Sequence, residues 1–179
     1  MRLCRQAARG DEQAFRIIYD AYAPSLASYI FGVTNDRTVV EDVVNEAFLK
    51  AWRALDRFRG ESDFGTWITT IARHIVFDRY KKIKDTDDLE ETESIPDESA
   101  SPFLTASDNS KAALIAKALT HLSPEHREVL QLTYMQEKPI REIAELIGCP
   151  ANTVKTRMFH ARKKLKKIID DMGVSYDDL

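Results

Sequence analysis

Apolar residues return every three or four positions along the first half of the chain, the spacing that places them on one face of an α-helix. Two such runs precede a break that contains two glycines, and a third run follows it. The strict alternation of a half-buried strand is absent. The pattern predicts three amphipathic helices with these apolar positions: Ala14, Phe15, Ile18 and Tyr22; Val40, Val43, Val44, Ala47, Phe48, Ala51, Trp52 and Leu55; Trp67, Ile68, Ile71, Ala72, Ile75, Val76 and Tyr80.

The second half of the chain repeats the helical spacing in shorter runs. One helix is predicted over "LIAKALTHL", and another is predicted to begin after Ser123 as N-cap, with Pro124 at its first position. A short amphipathic helix then ends at Gly148, which suits a left-handed cap. A further helix from Ala151 or Asn152 follows, with Val154, Met158, Ala161 and Leu165 on its buried face. The pair predicts a helix-turn-helix.

An acidic stretch separates the two halves. Residues 85–98, "DTDDLEETESIPDE", hold eight carboxylates and no base, and small polar residues with Pro96 and Pro102 continue the stretch. Such dense like charge repels itself and buries little apolar surface, which predicts a flexible linker. The fold class is therefore predicted as all-α, with two small helical domains joined by this linker. The predicted divisions are a first domain at 1–84, the linker at 85–109, a second domain at 110–170 and an acidic tail at 171–179.

Composition and motifs argue against metal binding, catalysis and insertion into a membrane. Cys4 and Cys149 are predicted to be plain thiols, and the four histidines lack the spacing of a helical zinc site. The serine-hydrolase, phosphate-loop and zinc-protease motifs are missing, so we predict no catalytic residue, metal, cofactor or small-molecule substrate. No apolar run reaches the roughly 18 to 20 residues that span a bilayer. The N-terminus does not resemble a secretory signal, and we expect a cytoplasmic protein without membrane insertion.

One segment is purely basic although the chain has a net charge of −3. Residues 151–167, "ANTVKTRMFHARKKLKK", contain seven Lys or Arg residues and no Asp or Glu. The second helix of a helix-turn-helix enters the DNA major groove, with its first turns on base edges and later bases on phosphates. The segment therefore favours DNA binding over the alternative of a solvated basic face. The acidic linker offsets this charge. A further hypothesis is that it mimics nucleic acid, either in a positively charged channel meant for RNA or DNA or over the basic helix of this chain.

Two long stretches resemble the two domains of extracytoplasmic-function (ECF) sigma factors of bacterial RNA polymerase. They are "DVVNEAFLKAWRALDRFRGESDFGTWITTIARHIVFDRYKK" and "LSPEHREVLQLTYMQEKPIREIAELIGCPANTVKTRMFHARKKL". The resemblance covers nearly the whole chain, in the family's order and with a divergent linker between. It implies promoter-specific initiation of transcription and two partners, core RNA polymerase and promoter DNA. It also implies control by an anti-sigma factor.

The resemblance assigns the first helix of the first signature to core polymerase. In the family this helix docks on the clamp helices of the largest subunit through a DxxQE pattern, which falls here on Asp42, Asn45 and Glu46, with Asn replacing Gln. The alternative for these residues is a solvated acidic helix start. The second domain is expected to contact the polymerase flap. The predicted core-binding residues are Asp42, Asn45, Glu46, Leu49 and Arg53.

The resemblance also divides the DNA contacts between the two promoter elements. By this resemblance, the loop from Phe58 to Phe64 is expected to capture a flipped base of the minus-ten element, and His74 stands where the family usually has Asn. For Trp67, a role in the core is favoured over a role as a platform on which a base stacks. The predicted minus-ten residues are Phe58, Arg59, Ser62, Phe64, Thr66, Trp67, Arg73, His74, Arg79, Lys81 and Lys82. The predicted minus-thirty-five residues are Asn152, Thr153, Lys155, Thr156, Arg157, Phe159, His160, Arg162 and Lys163.

Two other functions stay open at this point. A stand-alone regulator whose first domain senses a ligand or dimerises would bind duplex DNA without polymerase, on paired half-sites. An adaptor of two helical bundles would have no sequence-specific effect on DNA. The stretch "DVVNEAF" from Asp42 to Phe48, followed by "FRG" and "TWI", favours the sigma factor over both.

Overall fold

The structure, a computed structural model, describes residues 2–86 and 109–173. All regular elements in these two ranges are helical. The all-α fold predicted from the spacing of apolar residues is confirmed. The chain divides into two compact units, Met1–Glu93 and Ser94–Leu179. Most of the predicted acidic linker and the end of the predicted tail lie outside the described residues.

Over residues 2–86, the first unit contains four helices and one short 3-10 turn. The bounds are α1 Arg2–Ala7, α2 Glu12–Thr34, α3 Val40–Ala54 and α4 Phe64–Thr86, with the turn at Leu55–Arg57 between α3 and α4. Asp11 caps α2, because its carboxylate accepts from the backbone N–H of Ala14 at 3.0 Å. Helix α2 ends at Asn35, whose φ of 53° is left-handed and whose N–H donates to the carbonyl of Phe31.

The core of the first unit lies between α2, α3 and α4, which contact one another pairwise. The predicted apolar faces point inward: Val43, Ala47 and Ala51 on α3 are fully buried. Side chains of α2 add Leu26, Tyr29, Ile30 and Val33 to the same core, beyond the apolar run that the pattern marked in that helix. Helix α4 continues to Thr86, so it includes the first two residues of the predicted linker.

The second unit also contains four helices. The bounds are α5 Asn109–Thr120, α6 Pro124–Leu130, α7 Ile140–Ile147 and α8 Ala151–Asp171. Ser123 takes the N-cap position of α6 with Pro124 directly after it, although the serine side chain forms no capping bond. Helix α6 continues into a π-helical turn at Gln131–Met135, which the sequence pattern did not predict. Helices α5, α6 and α7 all contact α8.

Helices α7 and α8 form the predicted helix-turn-helix. Gly148 adopts φ 73° and ψ 39°, and its N–H donates to the carbonyl of Ala144, so the left-handed cap is confirmed. Pro150 then leads directly into α8, where Val154, Met158 and Ala161 are buried against the other helices and Leu165 is half-buried. The buried face of α8 is therefore the predicted one, and the remaining faces are free to carry the basic residues.

Candidate polymerase and nucleic-acid interfaces

The predicted core-binding residues lie together along α3, on the side away from the buried valines. Asp42, Asn45, Leu49 and Arg53 are exposed, and Glu46 is half-buried at the edge of this surface. Leu49 is 50% exposed although it is apolar. The Asn45 side-chain oxygen accepts from the Tyr19 hydroxyl at 3.3 Å, which holds the amide in place. A single exposed leucine is common on protein surfaces, so the case for a protein-binding surface here rests on its position beside the predicted polar contacts.

Glu46 lies at the centre of an ion-pair network. Its two carboxylate oxygens lie 2.9 Å from Lys50 Nζ and 2.8 Å from Arg79 Nη2. The hydrogen bonds from Lys50 and Arg79 lower the pKa of Glu46, against the smaller opposing effect of burial. Arg79 comes from α4, so the network joins the predicted polymerase helix to the predicted minus-ten helix. The sequence alone pairs Glu46 only with Lys50, its neighbour at i+4.

The predicted base-capture loop rests on a cluster of aromatic rings. The ring centroids of Phe58 and Trp67 are 4.8 Å apart, and Phe64 contacts both of them as well as Tyr22. Phe64 is only 5% exposed, so the structure places it beneath the loop as a support and not as a surface for a base. Phe58 and Trp67 are half-buried, which leaves part of each ring at the surface. Arg59 and Ser62 are exposed on the loop itself.

The end of the loop is held by a side-chain cap on α4. Asp63 accepts from the backbone N–H and from the hydroxyl of Thr66, at 3.0 and 2.5 Å. Gly65 packs so closely against the Tyr22 ring that an added Cβ would lie 3.1 Å from it and 2.9 Å from Asp63 Oδ1. The sequence reading missed Asp63 and Gly65, although an Asp three residues before Thr66 is a helix-start signal. The predicted contact residue Thr66 therefore also fixes the loop.

The remaining predicted minus-ten residues follow one another along α4. Arg73 lies over the Phe77 ring at 4.5 Å, a cation–π contact that orients its guanidinium along the helix. His74, Lys81 and Lys82 are exposed. Arg79 is engaged by Glu46, so its charge is partly neutralised before any DNA arrives. The helix thus offers more exposed cationic groups towards its end than at its start.

The exposed face of α8 carries nearly all of the predicted minus-thirty-five residues. Phe159 is 64% exposed. Beside it lies a groove of about 650 Å³, with Tyr134 and Ile140 on one side and basic residues of α8 on the other. Arg162 lies over the Tyr134 ring at 5.7 Å. Thr153 is half-buried; the exposed predicted residues are Asn152, Lys155, Thr156, Phe159, His160, Arg162 and Lys163.

Arg157 differs from its neighbours on α8. It is half-buried, and its Nη1 atom is buried without a hydrogen-bond partner. On α6, the Nδ1 atom of His126 is also buried without a hydrogen-bond partner. Burial lowers the pKa of His126, and the positive charge of Lys164 adds to the effect. Arg157 thus lies at the edge between the core and the surface predicted to bind DNA.

Among the described residues, no group of three or more His, Cys, Asp or Glu side chains is placed to hold a metal ion. Cys4 is buried and Cys149 half-buried, and neither forms a disulfide. The groups that the structure brings together are hydrogen-bond donors, cations and partly exposed rings, which bind polyanions and stack on bases.

Comparison with protein families gives two matches in the order of the two units. Residues 18–86 match the family described as sigma-70 region 2, and residues 112–165 match sigma-70 region 4. Together they cover more than half of the chain. The chain belongs to the sigma-70 family. As a sigma factor it binds core RNA polymerase and promoter DNA, and the family is not known for enzymatic activity.

Curated relatives place this sigma factor in the ECF group. It is 31% identical over 174 residues to the ECF RNA polymerase sigma factor SigL of Mycobacterium tuberculosis, covering 94% of this chain and 96% of that protein. It is 30% identical over 173 residues to the ECF RNA polymerase sigma-E factor of Escherichia coli, covering 91% and 90%. BldN of Streptomyces coelicolor is 30% identical over 180 residues, and the match spans 96% of this chain but 66% of BldN.

Solved structures share the fold. The structure of CnrH in complex with the cytosolic domain of CnrY matches with a TM-score of 0.67 and 26% identity, over 94% of this chain and 96% of that one. The sigma factor RpoE of Bartonella quintana, in complex with the anti-sigma factor NepR, matches with a TM-score of 0.72 and 24% identity, over 87% and 96%. In the part of the chain that the structure describes, every helix is too short or too polar to cross a membrane.

Proposed function

We propose that this ECF sigma factor attaches to core polymerase through the exposed side of α3. Asp42 and Asn45 supply hydrogen-bonding groups, Leu49 supplies the apolar contact and Arg53 a cation at the end of the helix. Glu46 has a second role in this proposal, because its carboxylate is already shared between Lys50 and Arg79. Glu46 fixes the position of this surface through its two ion pairs. Its carboxylate oxygens also accept hydrogen bonds from the partner.

The loop and the start of α4 are proposed to open and read the minus-ten element. Phe58 and Trp67 offer partly exposed rings on which a displaced base stacks, and Arg59, Ser62 and Thr66 lie around them. Flipping a base costs on the order of a few kcal/mol, which stacking of about 1–3 kcal/mol per base offsets. Arg73, His74, Lys81 and Lys82 then follow the sugar-phosphate backbone along α4.

The helix-turn-helix is proposed to read the minus-thirty-five element. The observation that carries the whole proposal is the exposed face of α8 over residues 151–167, which carries no acid and has Lys155, Thr156 and Phe159 in its first turns. Lys and Thr bond to base edges in the major groove, and an aromatic ring contacts a thymine methyl. Arg162 and Lys163 lie further along the helix, where phosphates are the expected partners.

Control by a second protein is part of the proposal. The CnrH chain, of the same fold, was solved in complex with the cytosolic domain of another protein, CnrY. The exposed apolar side chains Leu49, Tyr134 and Phe159 offer contact area for such a partner. We propose an anti-sigma factor that covers the α3 surface and so prevents polymerase binding. A cytoplasmic location is supported by the binding of RNA polymerase. The protein itself is proposed to catalyse no reaction.

Transcription with purified bacterial core polymerase on a genomic promoter library tests this function. New specific transcripts should require the protein, and the double variant Asp42→Ala/Leu49→Ala should abolish them. The matched control is Glu12→Ala/Ile17→Ala, which removes one exposed acid and one exposed apolar residue from α2 instead. No transcript with the wild type, together with specific binding of duplex DNA by the protein alone, would favour a stand-alone regulator.

A further inference from the structure

A small cleft lies beside the base-capture loop, between α1 and the 3-10 turn. It has a volume of about 320 Å³. The end of α1 supplies Arg5, and the turn after it supplies Arg9; Phe58 and Arg59 of the loop form the other side. Leu55 contributes apolar surface. The sequence reading assigned no function to Arg5 or Arg9, which are about fifty positions from the loop in the chain.

Arg5 lies on the exposed side of α1, and Arg9 lies in the turn that follows the helix. Cys4 and Ala7 are buried against the rest of the unit. Arg5 and Arg9 are spaced i, i+4, so their side chains leave the chain in a similar direction. The chain continues to turn past the end of the helix, since Ala8 N–H donates to the Cys4 carbonyl and Arg9 N–H donates to the Gln6 carbonyl, three residues before it.

The cleft carries a positive charge. Three guanidinium groups line it, from Arg5, Arg9 and Arg59, against one carboxylate, from Asp56. Glu61 lies 3.8 Å from Arg59, a long and exposed ion pair that contributes little. Among the described residues, Arg5 and Arg9 form no ion pair with an acid, and both are exposed. The two charges are therefore available to an anion.

We propose that Arg5 and Arg9 bind the phosphates of the single DNA strand whose base occupies the neighbouring loop. This inference rests on the proposed function of that loop. Guanidinium groups next to partly exposed rings are the combination that binds single-stranded nucleic acid, the cations on the backbone and the rings on the bases. Phe58 and Arg59 belong both to the loop and to the cleft, so a strand held at the loop passes directly into reach of Arg5 and Arg9.

The proposal makes α1 part of the DNA-binding surface. The contacts are with phosphates, so they add affinity for an opened strand without choosing its sequence. They help only after the duplex has separated, because the cleft is next to the captured base. Arg5 and Arg9 thereby stabilise the melted state relative to the closed duplex.

The test uses holoenzyme formed from the full chain and core polymerase, with a fluorescent single strand that carries the minus-ten element. The variant Arg5→Gln/Arg9→Gln removes both charges and keeps good helix formers. Arg2→Gln/Arg16→Gln is the matched control, because it removes two exposed charges from α1 and α2 outside the cleft. Affinity is measured by anisotropy over a range of salt concentrations.

The cleft variant should bind about tenfold more weakly at low salt, and the slope of log affinity against log salt should fall by roughly 1.4, about 0.7 for each lost phosphate contact. Strands with the minus-ten sequence scrambled should lose the same factor. The control should keep the wild-type slope. Replacing the phosphates next to the captured base by neutral methylphosphonates should remove the difference between wild type and cleft variant.

An unchanged slope in the cleft variant, or an equal loss in the control, would overturn the assignment of Arg5 and Arg9. Persistence of the difference on methylphosphonate strands would do the same. A wild-type holoenzyme that fails to bind the strand at all would instead count against the proposed function of the loop, so the two failures are distinguishable. Helical content and core-polymerase affinity of each variant show whether it is folded.

Discussion

Arg79 Nη2 lies 2.8 Å from Glu46 Oε2, although the two residues are 33 positions apart in the chain. Lys50 Nζ lies 2.9 Å from the other carboxylate oxygen of Glu46, Oε1. The bond connects α3, the proposed polymerase helix, to α4, the proposed minus-ten helix. A change on either helix therefore alters the position of a charged group on the other.

The Glu46–Arg79 pair should be weakly stabilising. Both side chains are more than one-third exposed, 37% and 39%, so solvent screens the attraction. A double-mutant cycle with Glu46→Gln and Arg79→Gln should give a coupling of about 0.5–1 kcal/mol in the free energy of unfolding of the first unit. Fluorescence reports this unit alone, because both tryptophans, Trp52 and Trp67, lie in it. A coupling of zero would show that the pair does not connect the helices.

The same coupling should depend on pH in the acid range. The pKa of Glu46 is lowered in the folded protein, first by its hydrogen bonds with Lys50 and Arg79. A lowered carboxyl pKa stabilises the fold above the ordinary value of 4.5, and that contribution is lost as the pH falls from there through the lowered pKa. The cycle measured at pH 7 and again near pH 3 should therefore show a smaller coupling at pH 3.

Phe58→Ala should weaken binding of the minus-ten single strand by about 1–3 kcal/mol, the stacking energy of one base. The loss should vanish on a strand that is abasic at the captured position and persist when another position is abasic. Anisotropy with holoenzyme and a series of abasic strands measures both effects, and the position where the loss vanishes identifies the captured base. An equal loss on every strand would mean that Phe58 only supports the loop.

His126 should make the second unit less stable in mild acid. Its pKa is lowered, mainly by burial, so the folded protein binds fewer protons at this group than the unfolded chain. Stability should therefore decrease as the pH falls from the ordinary value of 6.5 towards the lowered pKa. His126→Gln should remove that dependence, whereas His121→Gln, at an exposed position, should retain it. Thermal melts between pH 5 and 7.5, with NMR titration of His126, measure the effect.

Lys155 and Lys166 should differ in what they contribute to DNA binding. Lys155→Ala should cost about 1–3 kcal/mol on the matched minus-thirty-five duplex and much less on a scrambled one, because a base edge is its partner. Lys166→Ala should weaken both duplexes by the same factor and reduce the salt slope by about 0.9. Titration of holoenzyme on the two duplexes at several salt concentrations separates these cases. Equal losses on both duplexes for Lys155→Ala would contradict its assignment.

Local patterns predicted the elements well. The apolar spacing predicted the buried faces of α3, α4 and α8, and Gly148 predicted the end of α7. These features depend only on residues within a few positions of one another in the chain. Arg157 was predicted to contact DNA, but the same pattern already indicates that its side chain is partly buried. It follows Val154 by three positions and precedes Ala161 by four, a spacing that already places it at the edge of the buried face.

Contacts between distant segments could not be predicted in this way. The Glu46–Arg79 bond, the packing of Phe64 under the loop and the position of Arg5 beside Arg59 each depend on how helices pack against one another. The π-helical turn at Gln131–Met135 is similar, because packing on neighbouring helices can override local preference. The motifs therefore predict where these surfaces lie, and the fold determines which side chains are exposed on them.

Site-specific photocrosslinking in the complete initiation complex tests the central claim most directly. A photoreactive residue replaces Leu49 on α3 or Phe159 on α8, both highly exposed, in a chain assembled with core polymerase and a promoter recovered from the library. The account predicts that position 49 crosslinks to the largest polymerase subunit and position 159 to duplex DNA of the minus-thirty-five element. Crosslinks from position 49 to DNA, or from position 159 to no DNA at all, would contradict it.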